Sequence, residues 1–227
     1  MNKLSKRLSI IASLVPCGAR VCDIGTDHGY LSIFLSTSGK ASKIIATDIS
    51  PLPLENARKN IVAANVTDIE LRLCNGLSGI KHNEVDTVII AGMGGEVIAE
   101  ILKSGSNITK DKDIRIILQP TTSPEHLRRF LYKNGYGINE DIPIFENGKL
   151  YSVMSVSYKG GVTNFEEYCC FTGLVSPDTE DGRLYLEKQQ LRAFKCMTAL
   201  ESIEQKRDEY LYYKGIYEGI TNYLTEK

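Results

Sequence analysis

The sequence predicts an α/β protein with a doubly wound, mostly parallel sheet, an antiparallel hairpin at the sheet edge and a small C-terminal helical domain. Short apolar runs alternate with amphipathic segments over roughly the first 135 residues, as expected when helices cover both faces of a parallel sheet. Two further apolar runs, 136–145 and 151–158, are joined by turn residues, which indicates a β-hairpin. After Gly160-Gly161 the chain becomes polar and helical. We therefore expect two domains, 1–160 and 161–227.

Local signals place the individual elements. The predicted helices cover 2–15, 29–37, 53–64, a segment ending near 103, and 123–133. The predicted parallel strands cover 20–24, 43–48, 68–73, 85–91 and 114–118. Pro16-Cys17-Gly18 ends the first helix, and Pro51 and Pro53 suit the first turn of a helix. The run 85–91 is the most continuously apolar of the strands, as expected at the centre of a parallel sheet.

The C-terminal segment 182–225 has a helical pattern with a seven-residue repeat. Large apolar residues recur at this spacing in its second half: Ile203, Tyr210, Tyr217 and Leu224. An earlier stripe is out of phase with them, and the shift falls near 198–201. Two packed helices explain this shift, but no Gly or Pro lies between Arg183 and Lys214, so one long helix is the alternative. The stripe fits either a coiled-coil appendage or simple packing on the core.

Composition excludes several classes of protein. The net charge is -1, so there is no global basic field, and any nucleic acid must be held by local patches. No apolar run reaches transmembrane length, and the N-terminus does not resemble a signal peptide. The six cysteines show no C-x-x-C spacing. We expect reduced thiols in a cytoplasmic protein, with no metal site and no membrane contact.

The stretch from Val21 to Leu31 carries the first chemical signal. A buried strand ends in Asp23, a glycine turn follows at Gly25, and a helix begins. Glycine lets a ligand approach the backbone, and the helix N-terminus carries a positive partial charge. The second strand ends in Asp48, the usual position of an acid that binds a ribose. Together these features predict a nucleotide-type ligand at the carboxyl edge of the sheet.

The turn chemistry favours S-adenosylmethionine over NAD. Residues 25–29 read Gly-Thr-Asp-His-Gly, which does not match the G-x-G-x-x-G of dinucleotide sites. An acid in this loop is also a poor neighbour for a pyrophosphate, whereas S-adenosylmethionine carries a cationic sulfonium and an ammonium group. Carboxylates at Asp23 and Asp27 suit those charges. A nicotinamide-dependent dehydrogenase is the weaker alternative, as is an ordinary α/β turn whose acids only cap a helix.

Five motifs taken together resemble one family. They are residues 23–31 (DIGTDHGYL), 46–49 (ATDI), 75–77 (NGL), 91–95 (AGMGG) and 118–120 (LQP). This set is similar to the bacterial tRNA (adenine-22-N1)-methyltransferases of the TrmK type. The resemblance covers the whole chain, although the C-terminal part matches only in character. It implies a Rossmann-like class I methyltransferase domain to about residue 160, then a coiled-coil-like helical domain. It also implies S-adenosylmethionine as cofactor and tRNA as partner.

The resemblance places a cofactor site on the first three strand ends and on the glycine-rich motif. We expect Asp23 to lie near the cofactor's ammonium group, Asp48 to hold the ribose hydroxyls and Leu77 to pack on the adenine. The expected cofactor-binding residues are Asp23, Gly25, Thr26, His28, Asp48, Ile49, Asn75, Gly76, Leu77, Gly92, Met93 and Gly94.

Asp27 is the expected catalytic residue. Methyltransferases that act on exocyclic amines usually have [DNS]-P-P-[YFW] where this chain has Gly92-Met93-Gly94-Gly95. N1 of adenine has an in-plane lone pair and needs no deprotonation, so the enzyme must mainly position the reactants. The ring becomes cationic on methylation, and a carboxylate on its amino group stabilises that charge. The resemblance also puts an important acid at Asp27, for which helix capping is the alternative role.

RNA contacts are expected at the strand ends and in basic patches. The target adenine must be unpaired, because N1 lies on the Watson–Crick edge. Three patches are candidates for phosphate contacts, although each also fits a solvated helix face: Lys3/Lys6/Arg7, Arg128/Arg129/Lys133 and Lys188/Arg192/Lys195. The expected substrate residues are Tyr30, Gly95, Gln119, Pro120, Lys6, Arg7, Arg128 and Arg129.

Two further hypotheses stay open at this level. One is a methyltransferase that acts on another RNA, a small molecule or a protein, and the other is a non-catalytic RNA-binding protein with a methyltransferase fold. A monomer would suffice for activity, because the predicted cleft is complete within one chain. The helical arm beside the cleft is a reasonable clamp for a folded RNA.

Overall fold

A computed structural model of the protein describes residues 4–225. The strands are β1 Ala19–Ile24, β2 Ala41–Asp48, β3 Ile69–Leu73, β4 Thr87–Gly94, β5 Arg115–Thr122, β6 Tyr136–Glu146 and β7 Lys149–Tyr158. The helices are α1 Lys6–Leu14, α2 Tyr30–Thr37, α3 Pro51–Ala63, α4 Gly95–Ser104, α5 Ser106–Thr109, α6 Pro124–Lys133, α7 Tyr168–Thr172, α8 Glu180–Leu200 and α9 Arg207–Thr225, with a 3₁₀ turn at Glu204–Lys206 before α9.

The seven strands form one sheet in the order β3-β2-β1-β4-β5-β7-β6. Strands β1 to β5 pair in parallel, whereas β7 is antiparallel to both β5 and β6. Asn147 and Gly148, which join β6 to β7, both have positive φ angles of 51° and 74°, as a two-residue hairpin turn requires. The predicted fold class is therefore confirmed, including the antiparallel edge.

Helices cover both faces of the sheet and bury two apolar layers. One layer packs α4 and α6 on the central strands, and Ile98, Leu102 and Leu127 are fully buried in it. The other layer packs α1 and α2 on the opposite face, through Ile11 and Leu35. Because β4 lies between the two layers, its residues Val88–Ile90 are completely buried, which explains the continuous apolar run.

Several boundaries differ from those predicted. Strands β4 and β5 continue to Gly94 and Thr122, because their pairing resumes after an irregularity, with Met93 opposite Pro120. Helix α1 begins at Lys6, and the Ser5 hydroxyl caps it by accepting a hydrogen bond from the Leu8 N–H. The first residues of the predicted helix lie outside the described residues. The short helices α5 and α7 were not predicted, since four or five residues carry no readable periodicity.

The C-terminal segment is a pair of helices, so the alternative of one long helix is wrong. Helix α8 ends at Leu200 and α9 begins at Arg207, and this break follows directly on the predicted phase shift. The two helices run antiparallel, as shown by the hydrogen bond from Gln190 to Thr221 and the ring contact of Phe194 with Tyr217. Cys170, Phe171, Ala193, Ile216 and Ile220 share a buried cluster with Tyr132 of α6. The domain boundary near residue 160 and the coiled-coil character stay predictions.

A buried ion pair ties α6 to the rest of the chain, and it corrects one of our predictions. The Arg128 side chain is completely buried, and its Nε lies 2.8 Å from Oδ2 of Asp141 on β6. Burial alone would lower the pKa of Arg128, but the Asp141 carboxylate outweighs burial and holds the pKa above its usual range. The guanidinium also donates to Ser152, to Tyr185 and to the carbonyl oxygens of Cys170 and Phe171. The prediction that Arg128 contacts RNA is therefore wrong.

Removing one partner of this pair should destabilise the protein strongly. Arg128→Met leaves the Asp141 carboxylate buried without its cation, and such changes cost about 3–5 kcal/mol. The free energy of unfolding, measured by denaturant titration, checks this value. The double variant Arg128→Met/Asp141→Leu is the control, because removing both charges should restore much of the stability. Equal stability of the single and double variants would contradict the assignment.

Candidate active site

The first turn of the sheet forms the wall of a small cavity. The N–H groups of Gly25 and Thr26 both donate to the Thr47 carbonyl, at 2.8 and 3.0 Å, so the turn is fixed to β2. Gly25 has φ = 78°, a left-handed conformation that favours glycine. The cavity measures about 170 Å³ and is lined by Leu8, Asp23, Gly25, Thr26, Asp27, His28, Gly29, Tyr30, Leu31 and Ala91.

Asp23 is a buried carboxylate without a cationic partner in the described part of the chain. Only 5% of the residue is exposed, and its Oδ2 accepts hydrogen bonds from Ser32 at 2.7 Å and Thr26 at 3.1 Å. Burial raises the pKa of the Asp23 carboxyl, and the two hydroxyl groups oppose that rise. A buried carboxylate is stable when a cation pairs with it, so this corner of the cavity suits a ligand ammonium group.

Asp27, His28 and Tyr30 form an exposed cluster at the mouth of the same cavity. The Asp27 carboxylate is 67% exposed and lies 3.3 Å from Nε2 of His28. The His28 ring stacks on the Tyr30 ring with centroids 5.3 Å apart, and Asn60 holds the His28 carbonyl oxygen. The sequence left open whether His28 orients Asp27, and the geometry supports that role. Tyr30 is 47% exposed, which leaves ring surface free for a planar ligand.

The residues after β2 and β3 lie at the same edge of the sheet. Oδ1 of Asp48 accepts a hydrogen bond from the Ser50 N–H at 2.7 Å, which fixes the carboxylate at the strand end. Ile49 is 69% exposed beside it, and Asn75 is also exposed. Leu77 is only 4% exposed and belongs to the main core. Asp48, Ile49 and Asn75 match a cofactor that lies across the ends of β1, β2 and β3, whereas Leu77 offers it little surface.

Gln119 is hydrogen-bonded to the glycine-rich end of β4. Its side chain is buried, with 2% of the residue exposed. Its Oε1 accepts from the Gly92 N–H and from Nη1 of Arg7, each at 3.2 Å, and its Nε2 donates to the Pro120 carbonyl. The Thr121 hydroxyl donates to the Met93 carbonyl at 3.0 Å. Gln119 therefore positions the loop, which is a different role from the substrate contact we expected.

The glycines of this loop differ in what they allow. A side chain at Gly95 would collide with the Ser123 carbonyl, whereas a side chain at Gly92 would meet open space. Gly94 has only the Thr122 hydroxyl near it. A Cβ at Gly25 would collide with the methyl group of Met93. Met93, near the end of β4, therefore contacts the first turn at Gly25. The space next to Gly92 is open.

Most of the predicted basic contacts are engaged within the protein. Lys6 pairs with Asp181 at 2.6 Å, Arg7 pairs with Glu146 at 2.7 Å, and Arg129 pairs with Glu167 at 2.7 Å. Arg7 also lies over the Tyr151 ring, and Lys3 is outside the described residues.

The sequence did not identify Ser32, Glu146 or Tyr151 as part of the site. Ser32 follows Asp23 by nine residues on the next helix, but the other two meet Arg7 only through the hairpin.

Comparisons with known proteins agree with this geometry. A family model described as a methyltransferase domain matches residues 4–154. The tRNA (adenine(22)-N(1))-methyltransferase of Bacillus subtilis is 40% identical over 210 residues, which cover 91% of this chain and 88% of that protein. The crystal structure of the B. subtilis m1A22 tRNA methyltransferase TrmK has a TM-score of 0.87 and 28% identity over the structurally aligned residues, covering 99% and 100% of the two chains. The M. capricolum TrmK structure with S-adenosyl-homocysteine has a TM-score of 0.80, 28% identity and 98% coverage of both chains.

The strand order, the antiparallel β7 and the acid-lined turn at the end of β1 define a class I methyltransferase. The chain belongs to the family of bacterial tRNA (adenine-22-N1)-methyltransferases of the TrmK type. The resemblance seen in the sequence is thus confirmed, and the dehydrogenase alternative is wrong. Within residues 4–225, no helix is long and apolar enough to cross a membrane, and no group of three or more His, Cys, Asp or Glu side chains is placed to hold a metal ion.

Substitution of Gly25 should weaken cofactor binding by more than its backbone strain explains. Gly25→Ala places a methyl group in the cavity wall, against Met93, and forces alanine to adopt φ = 78°. Gly18→Ala is the matched control, since Gly18 has the same φ of 78° and open space around it. Both variants should lose about 1–2 kcal/mol of stability. Only Gly25→Ala should lower S-adenosylmethionine affinity, by about tenfold or more in calorimetry. Equal affinities in the two variants would contradict this placement.

Proposed function

We propose that this protein uses S-adenosylmethionine to methylate N1 of adenine 22 in tRNA. One observation carries the proposal: a single cavity at the carboxyl edge of the sheet is lined both by the buried Asp23 and by the exposed Asp27. The first carboxylate suits a cationic cofactor, and the second is accessible to a large substrate. The B. subtilis relative, 40% identical, is named for this reaction.

The residues at the strand ends fit the cofactor. Asp23 would pair with its ammonium group, Gly25 leaves room for its amino-acid end, and Asp48 would accept hydrogen bonds from the ribose. Asn75 and Gly76 follow β3, where the adenine of the cofactor would lie. When bound, S-adenosylmethionine supplies an electrophilic methyl group. Thr26, His28, Ile49, Leu77, Gly92, Met93 and Gly94 complete the proposed cofactor surroundings.

Asp27 would act on the acceptor base. Its carboxylate is exposed and is held by His28, so it can accept a hydrogen bond from the exocyclic amino group of adenine. This contact places N1 and stabilises the positive charge that the ring gains during transfer. The open backbone at Gly92 leaves space above the loop, and Tyr30 offers an aromatic face for the base. N1 needs no base to remove a proton, which matches a site with one exposed carboxylate.

The RNA must present an unpaired adenine. Base pairing hides N1, so the target base has to leave its stack before it can enter the cavity. Neither Gly95, at the start of α4, nor Pro120, which lines a neighbouring cavity, lines the cavity that holds Asp27. We further propose that the protein acts as a monomer, because Asp23, Asp27 and Asp48 all come from one chain. Since tRNA is its substrate and its six cysteines are free thiols, we propose a cytoplasmic location.

The direct test is methyl transfer from labelled S-adenosylmethionine to an unmodified tRNA transcript, followed by nucleoside mass spectrometry. We expect N1-methyladenosine in the wild-type transcript and none when adenine 22 is replaced by guanine. A tRNA that carries adenine at 22 but a different base elsewhere in the same loop is the control. Methylation of another position, or of no position despite cofactor binding, would overturn the proposal.

Two carboxylate substitutions should separate the steps of the reaction. Asp27→Asn keeps the shape of the side chain but removes the charge that faces the ring, so kcat should fall about 100-fold or more with S-adenosylmethionine affinity nearly unchanged. Asp48→Ala should instead raise the cofactor Kd about tenfold or more, because the ribose loses its acceptor. Single-turnover kinetics and calorimetry measure the two effects. The assignment fails if Asp27→Asn loses cofactor affinity and activity in parallel.

A further inference from the structure

A second and larger cavity lies beside the proposed active site. It measures about 620 Å³ and is enclosed by the end of β5, the start of β7 and one face of α8. Pro120 and Thr121 form its floor near the sheet, Tyr151 forms one side, and Lys188, Arg192 and Lys195 line the helical side. Because β7 is antiparallel to β5, the start of β7 lies at the carboxyl edge of the sheet. The cavity therefore opens at the same edge as Gly25 and Asp27.

The two cavities are joined through the end of β4. Thr121 in the floor of the larger cavity donates a hydrogen bond to the Met93 carbonyl. The Met93 methyl group in turn lies next to Gly25, which lines the smaller cavity. Strands β1 and β2 would serve the cofactor, so an acceptor has to approach from the side of β4 and β5. The larger cavity, which we call the α8 groove, is on that side.

The charges of the α8 groove are of one sign. Its lining includes Lys188, Arg192 and Lys195 and no acidic residue. Arg192 is paired with Glu125 at 2.7 Å. Lys188 and Lys195 are exposed and make no ion pair with any residue of the described range 4–225. The two lysines are seven residues apart on one helix, which separates them by about 10 Å along the axis. Two free ammonium groups at this spacing can contact two different phosphates.

Most of the other basic side chains that the sequence predicts to contact RNA are less available, and Lys133, which is exposed, lines neither cavity. Arg128 is buried, and Lys6, Arg7 and Arg129 each form an ion pair within the protein at 2.6 or 2.7 Å. The protein has a net charge of -1, so a polyanion has to be attracted by a local patch. Free cations, an acid-free lining and continuity with the site all occur together in the α8 groove.

We propose that the α8 groove holds the sugar–phosphate backbone of the substrate RNA next to the target adenine, with Lys188 and Lys195 as the phosphate contacts. This proposal rests on the proposed function, since it assigns a place to the same substrate. The hairpin and α8 act as the two walls that orient the strand, and the floor at Pro120 and Thr121 leads the base toward Asp27. Because phosphate contacts carry no sequence information, the groove supplies affinity and register, while the cavity at Asp27 selects the base.

The test is the double variant Lys188→Glu/Lys195→Glu in the full-length protein. We expect the Kd and KM for tRNA to rise about tenfold or more, and the slope of log affinity against log salt to fall by about one for each phosphate whose lysine is replaced. S-adenosylmethionine affinity should not change, because neither lysine lines the smaller cavity. Circular dichroism and thermal unfolding confirm that the variant is folded. A tRNA affinity equal to that of the wild type would overturn the proposal.

A matched control comes from the opposite edge of the sheet. A cavity of about 340 Å³ near the start of β5 is lined by Lys112 and Lys159 together with Asp113 and Glu140. Lys112→Glu/Lys159→Glu changes the net charge by the same amount and should leave tRNA affinity close to wild type. Equally weakened tRNA binding in both double variants would show a general charge effect and overturn the α8 groove. If the wild type makes no N1-methyladenosine, the proposed function fails, whereas a methylating wild type with an unaffected α8 variant removes only the groove.

Discussion

The buried pair of Arg128 and Asp141 fixes how the C-terminal helices sit on the methyltransferase fold. A buried guanidinium is tolerated only when its donors are satisfied, and its partners come from β6, β7, α7 and α8. Gly173 is part of the same arrangement, because a side chain there would collide with the Asp141 carboxylate. The position of α8 is therefore set by a polar centre as well as by apolar packing. That position creates the groove beside the site.

The two carboxylates beside the first turn differ in burial. Asp23 lies within the fold, held by two hydroxyl groups, and Asp27 lies four residues further on with most of its carboxylate exposed. The turn at Gly25 makes this possible, since the N–H groups of Gly25 and Thr26 bind the Thr47 carbonyl and reverse the chain within a few residues. One carboxylate is thus enclosed in the fold, and the other is open to solvent at the mouth of the cavity. The same short segment supplies both, which explains why it is the most informative part of the sequence.

Features that depend on local geometry could be predicted from the sequence. The strand ends near Asp23 and at Asp48 could be predicted from the turns that follow them, because each signal lies in a short stretch of sequence. Periodicity also indicated where α8 and α9 separate, although it left one long helix as an alternative. The roles of Arg128 and Gln119 could not be predicted in this way. Both looked like surface or edge residues, yet Arg128 meets Asp141 across the sheet edge and Gln119 joins Gly92 to Arg7. Burial of a long polar side chain depends on distant partners, which only the fold brings together.

The low net charge of the protein limits how a polyanion can be recognised. A protein with a net charge of -1 gains little from long-range attraction, so binding relies on local groups of unpaired cations. Most basic side chains near the site already neutralise an acid, as Arg7 does with Glu146 and Arg129 with Glu167. These pairs join α1 to the hairpin and α6 to the start of α7. In our proposal, the two unpaired lysines of the α8 groove and the exposed carboxylate of Asp27 together favour an RNA whose backbone and displaced base match both features at once.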